Sequence, residues 1–158
     1  MLDTKVIASI AAPNGAPTVK AWAAAQDEQH LYLSILTLAE YDKGIHNLAD
    51  DDPLRQRYAM NRDAIEARFA GRVISLSDAV TRRWGALAGR IRRDTGRPSS
   101  VIDTMLAATA IEAQLYLVTR NTKDVAATGA QVFNPWVDDP TGFPLGTGDG
   151  DRPARQGR

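Results

Sequence analysis

The chain has 158 residues, 19 Lys+Arg against 19 Asp+Glu, 44% hydrophobic residues and no cysteine. This length suits one domain that buries roughly two thirds of its unfolded surface, and the lack of cysteine excludes a disulfide scaffold, a thiolate metal site and a cysteine nucleophile. Balanced charge provides no global positive field for nucleic acid, no run approaches the ~20 apolar residues of a membrane span, and Asp3 interrupts Met1-Leu2-Asp3 too early for a leader, so the expected compartment is the cytoplasm.

Short β-rich runs alternate with helical spacing along the chain. Leu2 is expected in a very short first strand, followed by strands at 31–35, 73–76, 116–119 and 131–133, mostly β-branched or aromatic. Helical patterns cover 17–28, 37–48, 53–70, 78–95 and 100–114. Such alternation implies right-handed crossovers and a three-layer α/β/α sandwich on a short, mostly parallel sheet. After Trp136 the aliphatic residues nearly vanish, so 1–136 reads as the folded domain and 137–158 as a flexible Pro/Gly/Asp-rich tail.

Two helices carry further information. On 78–95, Val80, Trp84, Leu87 and Ile91 share one face, with Arg82, Arg83, Arg90 and Arg93 on the other, and Gly85 and Gly89 suggest close helix packing. The helix 100–114 is apolar nearly all round and is expected at the centre, yet it carries Asp103 near its start. A buried carboxylate is costly unless a cation meets it.

Four acids fall where strands give way to helices: Asp3, Glu40, Asp103 and Asp124. Ligands of open parallel sheets bind at that edge, and carboxylates gathered there suit a hard divalent cation. Capping is the competing reading, because Thr37, Ser100 and Asn121 each stand three residues before an acid. Asp3 has no such explanation. His30 and His46 read as surface or locally bonded residues, the three tryptophans as core or interface anchors, and Asp50-Asp-Asp52 before Pro53 as a helix start.

The order Leu2-Asp3-Thr4, Leu38-Ala39-Glu40 with Gly44-Ile45, Ile102-Asp103 with Ala108 and Ala110, Leu117-Val-Thr-Arg-Asn121-Thr-Lys-Asp124 and Asn134-Pro-Trp136 resembles the PIN domain, more closely the VapC/FitB-type toxins of bacterial toxin–antitoxin pairs. The resemblance implies Mg²⁺- or Mn²⁺-dependent endoribonuclease activity, with Asp3, Glu40, Asp103 and Asp124 as catalytic and metal-binding acids and Thr4 and Asn121 in support. It also implies an RNA substrate, a cognate antitoxin, and a homodimer or larger assembly. Arg82, Arg83, Arg90 and Arg93 would form an RNA-contacting strip, the alternative being a solvated helix face. Lys5 departs from the Asn or Ser that usually follows Asp-Thr in the family. A second reading is therefore a catalytically weakened domain that binds RNA or a partner. Receiver and haloacid-dehalogenase readings fit less well, since Asp3-Thr4-Lys5 lacks the second acid that the dehalogenase pattern needs.

Overall fold

The computed structural model describes residues 1–142, so most of the expected tail, 143–158, lies outside the described residues. Its strands are β1 (Leu33–Ser34), β2 (Val73–Ile74), β3 (Leu117–Val118) and β4 (Val132–Phe133), which pair in parallel as β1 with β2 and β3 with β4. Leu2 bridges both pairs, lying parallel to Leu33 on one side and to Val118 on the other. The sheet order is therefore β2, β1, Leu2, β3, β4, with the expected first strand reduced to a single bridging residue. Each strand is shorter than its apolar run. The chain leaves the sheet for a helix or loop as soon as two residues are paired.

Residues on the two faces of the sheet enter different cores, as a period of two requires. Leu2, Leu33, Val118 and Phe133 join Val6, Ile7, Val19, Trp22, Leu38 and Phe69 on one face. Leu117, with Ile74 and Val132 at its margin, joins Leu106, Ala107, Ala110 and Val125 on the other. The helices are α1 (Thr4–Ala11), α2 (Pro17–Ala24), α3 (Ile35–His46), α4 (Pro53–Arg68), α5 (Asp78–Thr95), α6 (Val101–Glu112) and α7 (Thr122–Val125). With helical layers on both sides of a parallel sheet, the expected three-layer architecture is borne out, and α5 lies over α6 through Val80, Trp84, Leu87, Ala108 and Ile111.

Several local expectations need correction. Helix α1 was not expected, although Val6, Ile7 and Ile10 follow helical spacing and pack into the first core. Helix α3 starts two residues early because Ser34, not Thr37, is its cap: the Ser34 hydroxyl accepts the Leu36 N–H at 3.2 Å. Thr37 is buried within the helix. Helix α2 ends at Ala24, ahead of a separate turn at Glu28–His30. Gly85 and Gly89 face open space rather than a neighbouring helix. The start of α6 is not central, since Val101 and Ile102 are exposed, whereas Leu106 to Ala110 are buried.

Other expectations hold. The Asp52 carboxylate caps α4, accepting the Leu54 N–H at 2.8 Å ahead of Pro53. His46 Nδ1 lies 3.2 Å from an Arg55 nitrogen, and Trp22 is buried with its ring centroid 5.5 Å from that of Phe133. Asn134-Pro-Trp136 closes the turn after β4. The Asn134 side chain accepts the Trp136 N–H at 3.0 Å, and the Asn134 N–H donates to Asp138 at 2.7 Å.

Helix α4 buries none of its residues and is tied down by charge at its end. Arg68 donates to both Glu28 carboxylate oxygens, at 2.9 and 3.0 Å, and Arg72 to one of them at 3.3 Å. The Arg68 hydrogen bond, helped by the positive charges of Arg68 and Arg72, pulls the Glu28 carboxyl down to about 2 against opposing desolvation. A carboxyl depressed on folding stabilises the fold above its unfolded pKa, and that contribution is lost as pH falls through the folded value. Glu28→Gln is thus expected to be less stable than the parent at pH 6. The gap should close between about pH 5 and pH 2 in urea titrations.

Candidate active site

The bridging position of Leu2 determines where the first acid stands. The Asp3 N–H donates to the Val118 carbonyl at 3.0 Å, and the Asp3 carbonyl accepts the N–H groups of Val6 and Ile7 at 3.0 and 3.2 Å. Asp3 is therefore both the end of the strand segment and the residue preceding α1. Its side chain does not cap that helix. Instead one carboxylate oxygen accepts the Thr119 hydroxyl at 2.6 Å, and the residue is only 8% exposed. Thr119 occupies the matching position just past β3.

Thr119 also accepts the Asn121 N–H at 3.0 Å, and the Asn121 side-chain amide donates to Asp103 Oδ1 at 3.0 Å. A continuous path thus runs from Asp3 through Thr119 and Asn121 to Asp103. The Asn121 amide nitrogen is the donor in this contact, which fixes the orientation of the amide. Asp103 is half-buried in the first turn of α6, and its N–H donates to the Ser100 hydroxyl at 3.4 Å. Capping by Ser100 and placement of Asp103 are thus compatible, whereas Asn121 makes no cap bond and is free to hold Asp103.

Glu40 reaches the same place from α3. It is half-buried, and one of its carboxylate oxygens accepts the Thr4 hydroxyl, which joins α3 to α1. With Ser34 as the cap, Glu40 has no capping duty. Beside it, burial pushes the Tyr41 phenol up, and the negative charge of Asp3 adds to the shift.

Asp3, Glu40 and Asp103 line one cavity of about 400 Å³, together with Thr4, Asn121, Lys5 and Lys43. Asp124 is exposed on α7 and does not line it. Among the described residues no ion pair reaches any of the three lining acids. Nor are three carboxylates already gathered closely enough to hold a metal ion. The donor set is entirely oxygen, the chemistry that a hard divalent cation requires. Asp3 is moreover a buried carboxylate that accepts a hydrogen bond from a neutral hydroxyl rather than from a cation.

The four arginines of α5 do not line the cavity. Arg83 pairs with Glu112 at 2.6 Å, Arg90 donates to the Ala127 and Thr128 carbonyls at 2.9 and 3.0 Å, and Arg93 pairs with Asp94 at 3.3 Å. Arg82 stands beside Asp78 and Thr81 at a separate shallow site. Sequence reasoning passed over Thr119 and Lys43. A threonine ending the apolar run Leu117-Val118 was the available sign for the first, and the spacing of Lys43 from Glu40, one turn along α3, for the second.

Residues 1–129 match the PIN domain family model. The chain belongs to the PIN domain family. Among its relatives, toxin FitB of Neisseria gonorrhoeae is 30% identical over 87% of this chain and 99% of its own. A VapC ribonuclease of Sinorhizobium fredii is 29% identical over 86% and 96%. The crystal structure of FitAcB from Neisseria gonorrhoeae superposes with a TM-score of 0.74 at 29% identity, covering 85% of this chain and 96% of that one. The resemblance seen in the motifs is thereby borne out. Among the described residues of this PIN domain, no helix is long and apolar enough to cross a membrane.

The shared hydroxyl of Thr119 makes it the keystone of this site. Thr119→Val keeps the shape but leaves Asp3 and the Asn121 N–H each short of a partner. The expected cost is about 1–3 kcal/mol, read as a lower urea midpoint with an unchanged slope.

Proposed function

We propose that this PIN domain is a Mg²⁺- or Mn²⁺-dependent endoribonuclease that acts in the cytoplasm as the toxin of a type II toxin–antitoxin module. The observation that carries the reading is the convergence of Asp3, Glu40 and Asp103 from three separate segments on one cavity, with no cation paired to them among the described residues. Their oxygens give the cavity the donor chemistry that a hard divalent cation takes up. The names of the relatives, a toxin and a VapC ribonuclease, support the same reading.

Asp3 and Asp103 would hold the divalent ion, and the path through Thr119 and Asn121 would keep their carboxylates in register. When bound, the ion supplies Lewis acidity toward a phosphoryl oxygen and acidifies water. Glu40, steadied by the Thr4 hydroxyl, orients the attacking water and takes its proton. Asp124, exposed beyond Asn121, acts through water rather than as a direct ligand. Phosphodiester hydrolysis by this route needs no covalent intermediate. The partner is a small antitoxin protein that covers the acidic cavity, and the toxin works as a homodimer or within a larger toxin–antitoxin assembly.

Cleavage of a labelled RNA is expected with Mg²⁺ or Mn²⁺ and absent in EDTA. Asp3→Asn and Asp103→Asn should each abolish it while keeping the circular dichroism of the parent, and Asn121→Ala should lower it about 10–100-fold. Folded Asp3→Asn and Asp103→Asn proteins that cleave like the parent would overturn the reading. A parent that binds RNA without cutting it under any divalent ion would favour the binding-only domain suggested by Lys5.

A further inference from the structure

From the geometry we infer that Lys5 and Lys43 form a two-lysine grip for the backbone phosphates of single-stranded RNA next to the cleavage point. The inference rests on the nuclease reading of the same cavity and deepens it. Three carboxylates repel a polyanion, so the substrate needs cations close to them. Lys5 and Lys43 are the cations in the cavity lining. Both are exposed, and neither forms an ion pair with a described carboxylate. The arginines of α5 do not line the cavity, and Arg83 and Arg90 are already bonded to Glu112 and to backbone carbonyls.

Placement favours a shared role. Lys5 follows Thr4 on α1, and Lys43 lies three residues after Glu40 on α3. The two lysines therefore flank the Thr4–Glu40 hydrogen bond, one from each helix. Asp103 and Asn121 come from α6 and the turn after β3. The α1 and α3 side of the lining thus carries both lysines beside Glu40, the α6 side carries Asp103, and Asp3 lies between. One phosphate held at the acids leaves a neighbouring phosphate of the same strand for the lysines.

Lys5 also sits where helix stability alone would not put it. It occupies the first turn of α1, which carries no acidic residue, and there the helix dipole opposes a cation. A local preference broken beside a site is expected when the residue serves the ligand rather than the fold.

The test is the salt dependence of binding to a fluorescein-labelled 12-nucleotide single-stranded RNA in EDTA, followed by anisotropy. Each true phosphate contact on single strands contributes ~0.7 to the slope of log K against log salt. Lys5→Gln and Lys43→Gln should each lower the slope by ~0.7, and the double variant by ~1.4. Arg57→Gln, exposed on α4 and outside the cavity, should leave it unchanged. Lys5→Gln should melt no lower than the parent, which separates lost binding from lost folding. Lysine variants with the parental slope and affinity overturn the grip, even if Asp103→Asn still abolishes cleavage and the nuclease reading stands. A parent with neither RNA binding in EDTA nor cleavage with metal overturns both.

Discussion

The arrangement depends on one residue of strand. Leu2 lies between Leu33 and Val118 and joins two parallel pairs into one sheet. Its N–H donates to the Tyr32 carbonyl at 2.8 Å, while the Val118 N–H donates to the Met1 carbonyl at 2.8 Å. These bonds fix the backbone on both sides of Leu2, and Leu2 itself is almost wholly buried. Asp3 has no freedom left: it must emerge at the carboxyl edge of the sheet, beside Thr119. A shift of one residue would turn Leu2 to the opposite face and carry Asp3 away from its hydroxyl partner.

From that fixed point the site is built by helices that start early. The sheet is only two residues deep at each strand, so α1 and α3 begin almost at its edge, and α7 follows closely after β3. Short strands bring Thr4, Glu40 and Asn121 within hydrogen-bond reach of one another's neighbours. The helix starts themselves are held by Ser34, Ser100 and the Asp3 carbonyl. Capping and site-building are thus divided between residues: serines hold the helix ends, and the acids are left to the cavity. The exception is Asp3, which precedes a helix but spends its carboxylate on Thr119.

Much of this was legible in the sequence, for identifiable reasons. Short β-branched or aromatic runs and long amphipathic stretches are strong signals, so the strand centres and helix α5 emerge where expected. Asp103 stood out because a carboxylate in an apolar helix demands an explanation. Helix α1 was hidden because its first turn, Thr4-Lys5-Val6-Ile7, has neither an acid nor a side-chain cap bond to announce it. Capping competed for Glu40 because Thr37 has capping-box spacing, and only the depth of the sheet shows that Ser34 comes first. Thr119 and the sharing of its hydroxyl depend on contacts across more than a hundred residues, which no local pattern encodes. The arginines of α5 form an obvious stripe, yet what they bond is decided by Glu112 and the turn after α7.

The proposed joint hold of Asp3 and Asp103 on a divalent cation is open to one decisive measurement. That measurement is anomalous diffraction from crystals grown with Mn²⁺. A peak is expected at ligand distance, about 2.0–2.2 Å, from an oxygen of each carboxylate. Crystals of the folded protein that hold Mn²⁺ elsewhere, or show no peak between these two residues at saturating metal, would contradict it.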